Sequence, residues 1–390
     1  MNQYEYVIVG AGMAGDAAAA GIRRHDKQGR ILMLGEESFP PYQRPPLSKK
    51  LWMDMRLEEV FSRNAARCQV DLALTAAVAA IDRERQVVVV HDGREYGYDK
   101  LLLAPGARPR RLAGGSRQLY YVGALSDHIQ LYRALVEPRS VLVIGAGFIG
   151  SEMAAVLAQR GHRVTWLVAE EYPFQGFFPR DLADHVAAEY TRHGVRIVSG
   201  ARATSVADDG GGVRVDTEGG ATYQADCAVA GIGVIANDAV AAAAGLATNH
   251  GIVVDRELRT SDPRIWAAGD AAVLASQGVA MMHEDHALIQ GKLAGENMAG
   301  AHKADEHESF FYSDLFHYGY EAVGDCRTSL EVFEDWVDPG NEGVIYYLDA
   351  GRVRGVLNWN VWDGVEAART LINSEQPIAV ETLKGRIRNA

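Results

Sequence analysis

Cysteine is scarce in this 390-residue chain, and the three present, Cys68, Cys227 and Cys326, have no close partners in sequence. Such isolated thiols suggest neither a disulfide framework nor a metal site. No stretch is long and apolar enough to span a bilayer as a helix. Basic residues are in deficit, 39 Lys and Arg against 51 Asp and Glu, and the net charge of −12 argues against nucleic acid as the main partner. The first apolar run begins within a few residues of Met1, so neither a signal nor a transit peptide is expected, and the expected location is cytoplasmic. What remains is the composition of an ordinary enzyme, 48% hydrophobic and 23% charged, with chain enough for two or three domains.

Glycine, by contrast, is placed with purpose. Gly10-Ala11-Gly12-Met13-Ala14-Gly15 and Gly145-Ala146-Gly147-Phe148-Ile149-Gly150 each follow a run that reads as a buried parallel strand, Val7 to Val9 and Val141 to Ile144. Each precedes a helix start, Asp16 to Ala20 and Ser151 to Ala158. The first glycine makes the tight turn, the second admits a pyrophosphate against bare backbone, and the third lets the helix pack close to its strand. The helix N-terminus then faces the phosphate charge. At the end of each second strand stands an acid for the ribose hydroxyls, Glu36 after Ile31 to Leu34 and Glu170 after Val164 to Leu167. Two such units imply two nucleotides.

The segment Thr260 to Asp270 ends in Ala268-Gly269-Asp270 and resembles the second flavin contact of two-dinucleotide flavoproteins. That resemblance assigns FAD to the first unit, with Asp270 on a ribityl hydroxyl, and leaves the second unit for NAD(H). Glu170 and Glu171 would repel a ribose phosphate, so NADH is expected over NADPH.

The order of motifs predicts an α/β protein with two Rossmann-like dinucleotide-binding domains and a small C-terminal α/β domain. The FAD domain is expected to be discontinuous, over 1–111 and 235–301. The NAD domain would be inserted at 112–234, with Gly231-Ile232-Gly233 mirroring the exit strand that ends near Gly106. The alternating runs Gln86 to Val90 and Val213 to Thr217 suggest a small antiparallel crossover in each unit. From 302 to 390 the chain is rich in Tyr, Trp and acids, with strand-like Gly343 to Leu348 and Arg352 to Leu357 before an amphipathic Val365 to Ile372.

The whole pattern resembles the ferredoxin and rubredoxin reductase branch of the FAD-dependent pyridine nucleotide-disulfide oxidoreductases, most specifically through Pro41-Tyr42-Gln43-Arg44-Pro45-Pro46-Leu47-Ser48-Lys49. Within it the chain is most similar to the apoptosis-inducing-factor group, through His283-Glu284-Asp285-His286-Ala287, Gly291 to Met298, Ser313-Asp314-Leu315, Gly319-Tyr320-Glu321, Trp359 and Asn360. This resemblance implies a glutathione-reductase-like fold and a set of roles. Lys49 and Glu152 would pair beside the isoalloxazine, Phe148 would cover the flavin until nicotinamide displaces it, and His283 and Trp359 would lie near the rings. The implied FAD set is Gly10, Gly12, Met13, Ala14, Gly15, Glu36, Glu37, Arg44, Pro45, Lys49, Val78, Gly106, Gly269, Asp270, His283 and Trp359. The implied NAD set is Gly145, Gly147, Phe148, Ile149, Gly150, Glu152, Glu170 and Gly233. Structural alternatives stand beside four of these: a surface lysine in a proline-rich loop for Lys49, a core phenylalanine for Phe148, a helix-capping or core-satisfied histidine for His283, and interdomain packing for Trp359 with Trp362. Metal binding by His283 and His286 is discounted, because the i, i+4 spacing of a zinc helix is missing.

With no cysteine pair to relay electrons, a disulfide reductase is excluded. The expected reaction is hydride transfer from NADH to FAD and delivery to an external acceptor, a small iron–sulfur protein such as ferredoxin or rubredoxin, or a quinone. Arg108, Arg110, Arg111 and Arg117 could form a local docking patch for an acidic partner. The alternative is an NADH-responsive module in which a long-lived reduced flavin–NAD charge-transfer complex controls dimerisation or partner binding. The family leaves a homodimer open.

Overall fold

In the computed structural model, which describes residues 2–276, 278, 281–374 and 376–388, contacts divide the chain into two compact units. The first comprises Met1–Pro45, Arg56–Arg108 and Val234–His307; the second comprises Pro46–Met55, Pro109–Gly233 and Glu308–Ala390.

In the first unit, strand Asn2–Val9 runs parallel between Ile31–Leu34 and Glu95–Leu103, with Val70–Ala73 beyond the former and Ile265–Ala267 beyond the latter. Val7, Ile8, Leu32, Met33, Leu101 and Leu102 are almost wholly buried, as strands of a parallel sheet covered on both faces must be. Glu95–Leu103 is long enough to serve twice. Its first residues pair antiparallel with Val87–Val90, which turns back onto Val78–Asp82 as the expected crossover. Helix Met13–His25 lies against helix Glu284–Met298 at backbone distance: a Cβ on Gly291 would fall 2.2 Å from the Ala14 carbonyl oxygen, and one on Gly295 2.1 Å from that of Ala18.

The second unit repeats the plan. Ser140–Ile144 runs parallel between Arg163–Leu167 and Cys227–Ala230, flanked outside by Arg196–Val198 and Leu119–Tyr121. Helices Phe148–Gln159 and Arg180–Arg192 belong to this part, as does an antiparallel crossover of Ala203–Asp209, Gly212–Thr217 and Thr222–Ala225.

The same unit holds a five-stranded antiparallel sheet in the order Phe310–Leu315, Tyr318–Gly324, Arg352–Trp359, Glu342–Asp349, Glu331–Asp338. Helix Val365–Ile372 packs its Ala368 and Leu371 into a core with Val323, Val344, Tyr346 and Val356. The pattern of the sequence revealed two of these strands. Tyr318–Gly324 hid because it is buried on both faces and lacks alternation, and Glu331–Asp338 because it is a largely exposed edge whose apolar residues fall in adjacent pairs.

Pro46–Met55 is anchored to the second unit by its own polar contacts. The Trp52 indole N–H donates to the Leu47 carbonyl at 2.8 Å, His128 Nδ1 lies 3.0 Å from the same oxygen, and Arg160 donates to the Trp52 carbonyl at 2.8 Å.

Candidate functional site

The first glycine loop is built by steric exclusion. Gly10 has φ +112°, and a Cβ there would lie 2.0 Å from the Ala104 carbonyl oxygen; a Cβ on Gly15 would lie 2.1 Å from that of Gly10. At Gly12 nothing comes nearer than the Arg44 guanidinium at 4.0 Å, which leaves bare backbone at the helix start. That combination fits a pyrophosphate.

Charge surrounds this loop. Arg44 pairs with Glu37 at 2.7 Å and donates to the Tyr42 hydroxyl at 3.0 Å, while its own N–H meets the Met13 sulfur at 3.4 Å. Burial pushes the Asp270 carboxyl up to about 6, with Arg44 pulling the other way. Asp270 follows Gly269, which sits at φ +72° in a short turn after Ile265–Ala267. Glu36 is exposed, and Pro45, Val78 and Gly106 are partly buried. Behind the helix, Asp16 accepts bonds from Ser62 Oγ at 2.6 Å and Asn64 Nδ2 at 3.0 Å, a buried carboxylate that the glycine motif did not announce.

The second loop has the same backbone. Gly145 has φ +99° with a Cβ position 2.4 Å from the Gly231 carbonyl oxygen, and a Cβ on Gly150 would lie 2.0 Å from the Gly145 oxygen. Gly147 has nothing within 4 Å of its Cβ position. Its walls differ from those of the first. The buried Trp166 donates its indole N–H to the Gly145 carbonyl at 2.8 Å and packs on Tyr190 at 4.6 Å. Phe148 is 37% exposed and meets Phe311 edge-on at 5.3 Å, so it is not the core phenylalanine of the structural alternative. Glu170, Glu171 and Gly233 are exposed, Ile149 partly so.

One turn into the same helix, Glu152 is buried and fully partnered. Lys49 Nζ lies 3.1 Å from Oε1, Ser313 Oγ donates to Oε1 at 2.6 Å, and Ser48 Oγ donates to Oε2 at 2.5 Å. Burial pushes the Glu152 carboxyl up, and Lys49 and the two hydroxyls pull it back. Lys49 also stands 4.1 Å over the Tyr312 ring, with 8% of its side chain accessible. The lysine–glutamate pair was expected; the two serines were not, although both lie in motifs singled out for resemblance.

His283 occupies the N-cap position of helix Glu284–Met298. Burial, with His286 adding to it, lowers its imidazole to about 4, so it is neutral at physiological pH. Trp359 departs from expectation. It is fully buried against Phe178, Tyr318 and Tyr320, and its indole donates to the Gly340 carbonyl at 2.9 Å. Protein encloses the ring on every side, so it is packing between the nucleotide-binding part and the C-terminal sheet and has no face for a flavin. Arg108, Arg110, Arg111 and Arg117 are all exposed.

The three cysteines are free and buried. Burial raises each thiol, that of Cys227 to about 12, which disfavours the thiolate that disulfide chemistry needs. Among the described residues no group of acids, histidines and cysteines could hold a metal ion, and no helix is long and apolar enough to cross a membrane.

Comparison with known proteins gives matches along nearly the whole chain. Residues 4–291 match the pyridine nucleotide-disulphide oxidoreductase family, and residues 294–342 match the C-terminal domain of mitochondrion-associated apoptosis-inducing factor. Rhodocoxin reductase of Rhodococcus erythropolis is 33% identical over 96% of this chain and 91% of its own length. Rubredoxin-NAD(+) reductase of Pseudomonas putida is 34% identical over 79% of this chain and 83% of its own. Among solved structures, that of the covalent putidaredoxin reductase–putidaredoxin complex matches with a TM-score of 0.90 and 29% identity, over 100% of this chain and 99% of the other.

Proposed function

The chain belongs to the pyridine nucleotide-disulphide oxidoreductase family as an FAD-dependent NADH:acceptor oxidoreductase without a redox disulfide, and we propose that its acceptor is a small iron–sulfur protein. FAD, when bound, takes a hydride equivalent from a two-electron donor and can return electrons one at a time. The residues supply orientation and charge. In this reading Gly10, Gly12 and Gly15 receive the FAD pyrophosphate, Asp270 accepts from the ribityl chain, and Glu37 and Arg44 frame the site. Gly145, Gly147 and Gly150 receive that of NADH, with Glu170 on the ribose. Lys49, held by Glu152, provides a fixed positive charge where negative charge develops on reduction, and Phe148 yields its place to the nicotinamide.

The observation that carries this reading is the pair of complete glycine cradles in a chain whose three thiols are all buried and raised. Electrons then have no protein sulfur to pass through. Relatives matched over most of their length carry reductase names, one of them captured with its redox partner, which favours turnover over the NADH-responsive module. Three unpaired cysteines suit a reducing compartment, and the cytoplasm is the location we propose.

The test is anaerobic mixing of the flavin-loaded protein with NADH or NADPH, followed by rubredoxin, a [2Fe–2S] ferredoxin or a soluble quinone. Flavin should bleach at least about tenfold more efficiently with NADH, since Glu170 and Glu171 oppose a ribose phosphate. One of the iron–sulfur proteins should then restore the oxidised spectrum fastest. Faster reoxidation by the quinone would overturn the acceptor assignment, and a long-wavelength band that persists in air would turn the reading toward the NADH-holding module.

A further inference from the structure

Gln290 is almost wholly buried in helix Glu284–Met298, where a polar side chain needs a reason. Its Oε1 accepts the N–H of Gly269 at 3.2 Å, and its Nε2 donates to Asp305 Oδ2 at 2.8 Å. Asp305, also buried, accepts the His307 N–H on its other oxygen at 3.3 Å. A glutamine amide can turn over and exchange donor for acceptor, but an ionised aspartate only accepts. Asp305 therefore holds the amide with its NH2 outward and its carbonyl toward Gly269. Gly269 is the first residue of the short turn Gly269–Ala271, so its N–H has no partner within that turn and depends on one from outside.

We propose that Gln290, oriented by Asp305, is a positioning residue that fixes the Gly269–Asp270 turn and thereby the aim of the Asp270 carboxylate at FAD. This rests on the reading of Asp270 as a flavin contact. The relay reaches from the flavin turn to the last residues of the first unit, so it also ties that turn to the place where the chain leaves for the C-terminal sheet.

The polarity of the relay can be inverted, and this supplies the test. In Gln290→Glu a carboxylate faces the Asp305 carboxylate. In Asp305→Asn one amide cannot accept from both Gln290 and the His307 N–H without a donor meeting a donor. The double variant Q290E/D305N satisfies every atom again: the asparagine NH2 donates to the glutamate, its oxygen accepts from His307, and the glutamate still accepts from Gly269. FAD release from the purified holoprotein would be followed by the rise in flavin fluorescence, with thermal melts of the flavin-free proteins alongside. Each single variant should release FAD about tenfold faster or more, as the loss of an oriented buried bond implies, and the double variant should return to within about threefold of the parent. Single variants that hold FAD like the parent, or a double variant that does not recover, would overturn the proposal. So would single variants whose flavin-free melting falls as much as their FAD binding, since that marks a purely structural bond. Asp270→Asn separates the two levels: if it too retains FAD, the reading of Asp270 fails, and if it alone loses FAD, only the relay fails.

Discussion

The two glycine loops repeat the same glycine conformations and close approaches and have opposite surroundings. Their first glycines have φ +112° and +99°, and their third glycines approach the first carbonyl to 2.1 and 2.0 Å. Equivalent N–H groups donate to the ends of equivalent strands, Gly10 to Leu34 at 2.8 Å and Gly145 to Leu167 at 2.9 Å. Around the first loop stand Arg44, Glu37 and Asp270, charged groups held by one another. Around the second stand an indole behind and a half-exposed phenyl ring in front. Its one buried charge pair, Lys49 and Glu152, lies a turn further on. A buried carboxyl such as Asp270 suits a cofactor that stays, because its desolvation is offset best while a bound hydroxyl donates to it. Rings and exposed acids suit a nucleotide that must arrive and leave in every turnover. The fold thus supplies the phosphate cradle, and the walls decide the residence time.

The largest break in this contrast is expected at the buried pair. Lys49→Met leaves Glu152 enclosed with only two hydroxyls, at a cost of about 3–5 kcal/mol. The sign of its pH dependence follows from the direction of the Glu152 shift. A carboxyl raised by burial contributes nothing unfavourable below its unfolded value and costs more as pH rises through the folded one. Denaturant melts should therefore show the deficit of Lys49→Met growing from pH 5 to pH 8. Lys49→Met with Glu152→Leu should recover most of the stability and none of the hydride-transfer rate. A double variant that reduces its flavin at the parental rate would show that the pair is structural.

A smaller effect of opposite sign is expected at the first loop. The Asp270 carboxyl is raised to about 6 in the folded protein. In the flavin-free protein that shift favours folding below the unfolded pKa and is lost as pH rises through 6, to a cost of at most about 3 kcal/mol. Asp270→Asn should make the flavin-free protein melt higher than the parent at pH 8, with the difference fading toward pH 4, while FAD binding falls by a hundredfold or so. A variant that melts lower at pH 8 would mean that the carboxylate is already satisfied by protein, and the contrast between the two walls would weaken.

Much of this was legible in the sequence, for local reasons. Gly10, Gly15, Gly145 and Gly150 are forced by distances inside one strand–turn–helix unit, so their spacing alone announces them. Asp270 and Lys49 were readable through short motifs. Ser313, Gln290 and Trp166 were not, because each meets its partner from a distant part of the chain or through a bond with no spacing signature. Trp359 misled for a related reason: a tryptophan in a family motif looks the same whether its ring faces a cofactor or, as here, Phe178 and Tyr320. Three of the five strands of the C-terminal sheet were hidden, two of them because a doubly buried strand and an exposed edge strand with paired apolar residues both lack the alternation that marks a half-exposed one.

The finest test of the contrast lies behind the loops. Met33 pairs with Ile8 in the first sheet as Trp166 pairs with Val143 in the second, so the two side chains hold equivalent stations, and only the indole can donate to a carbonyl. Gly145 is thereby pinned from behind while Gly10 is not. Trp166→Phe keeps an aromatic ring in the stack with Tyr190 and removes the donor, which should cost about 1 kcal/mol and weaken NADH binding about fivefold, with FAD content unchanged. Met33→Leu should leave both affinities within about twofold, because no bond depends on the sulfur there. Titration of the two variants with NADH, alongside their flavin-to-protein absorbance ratios, measures both. If Trp166→Phe instead lowered FAD content, the two loops would be coupled, and a mobile nucleotide site could no longer be set apart from a fixed one by its walls alone.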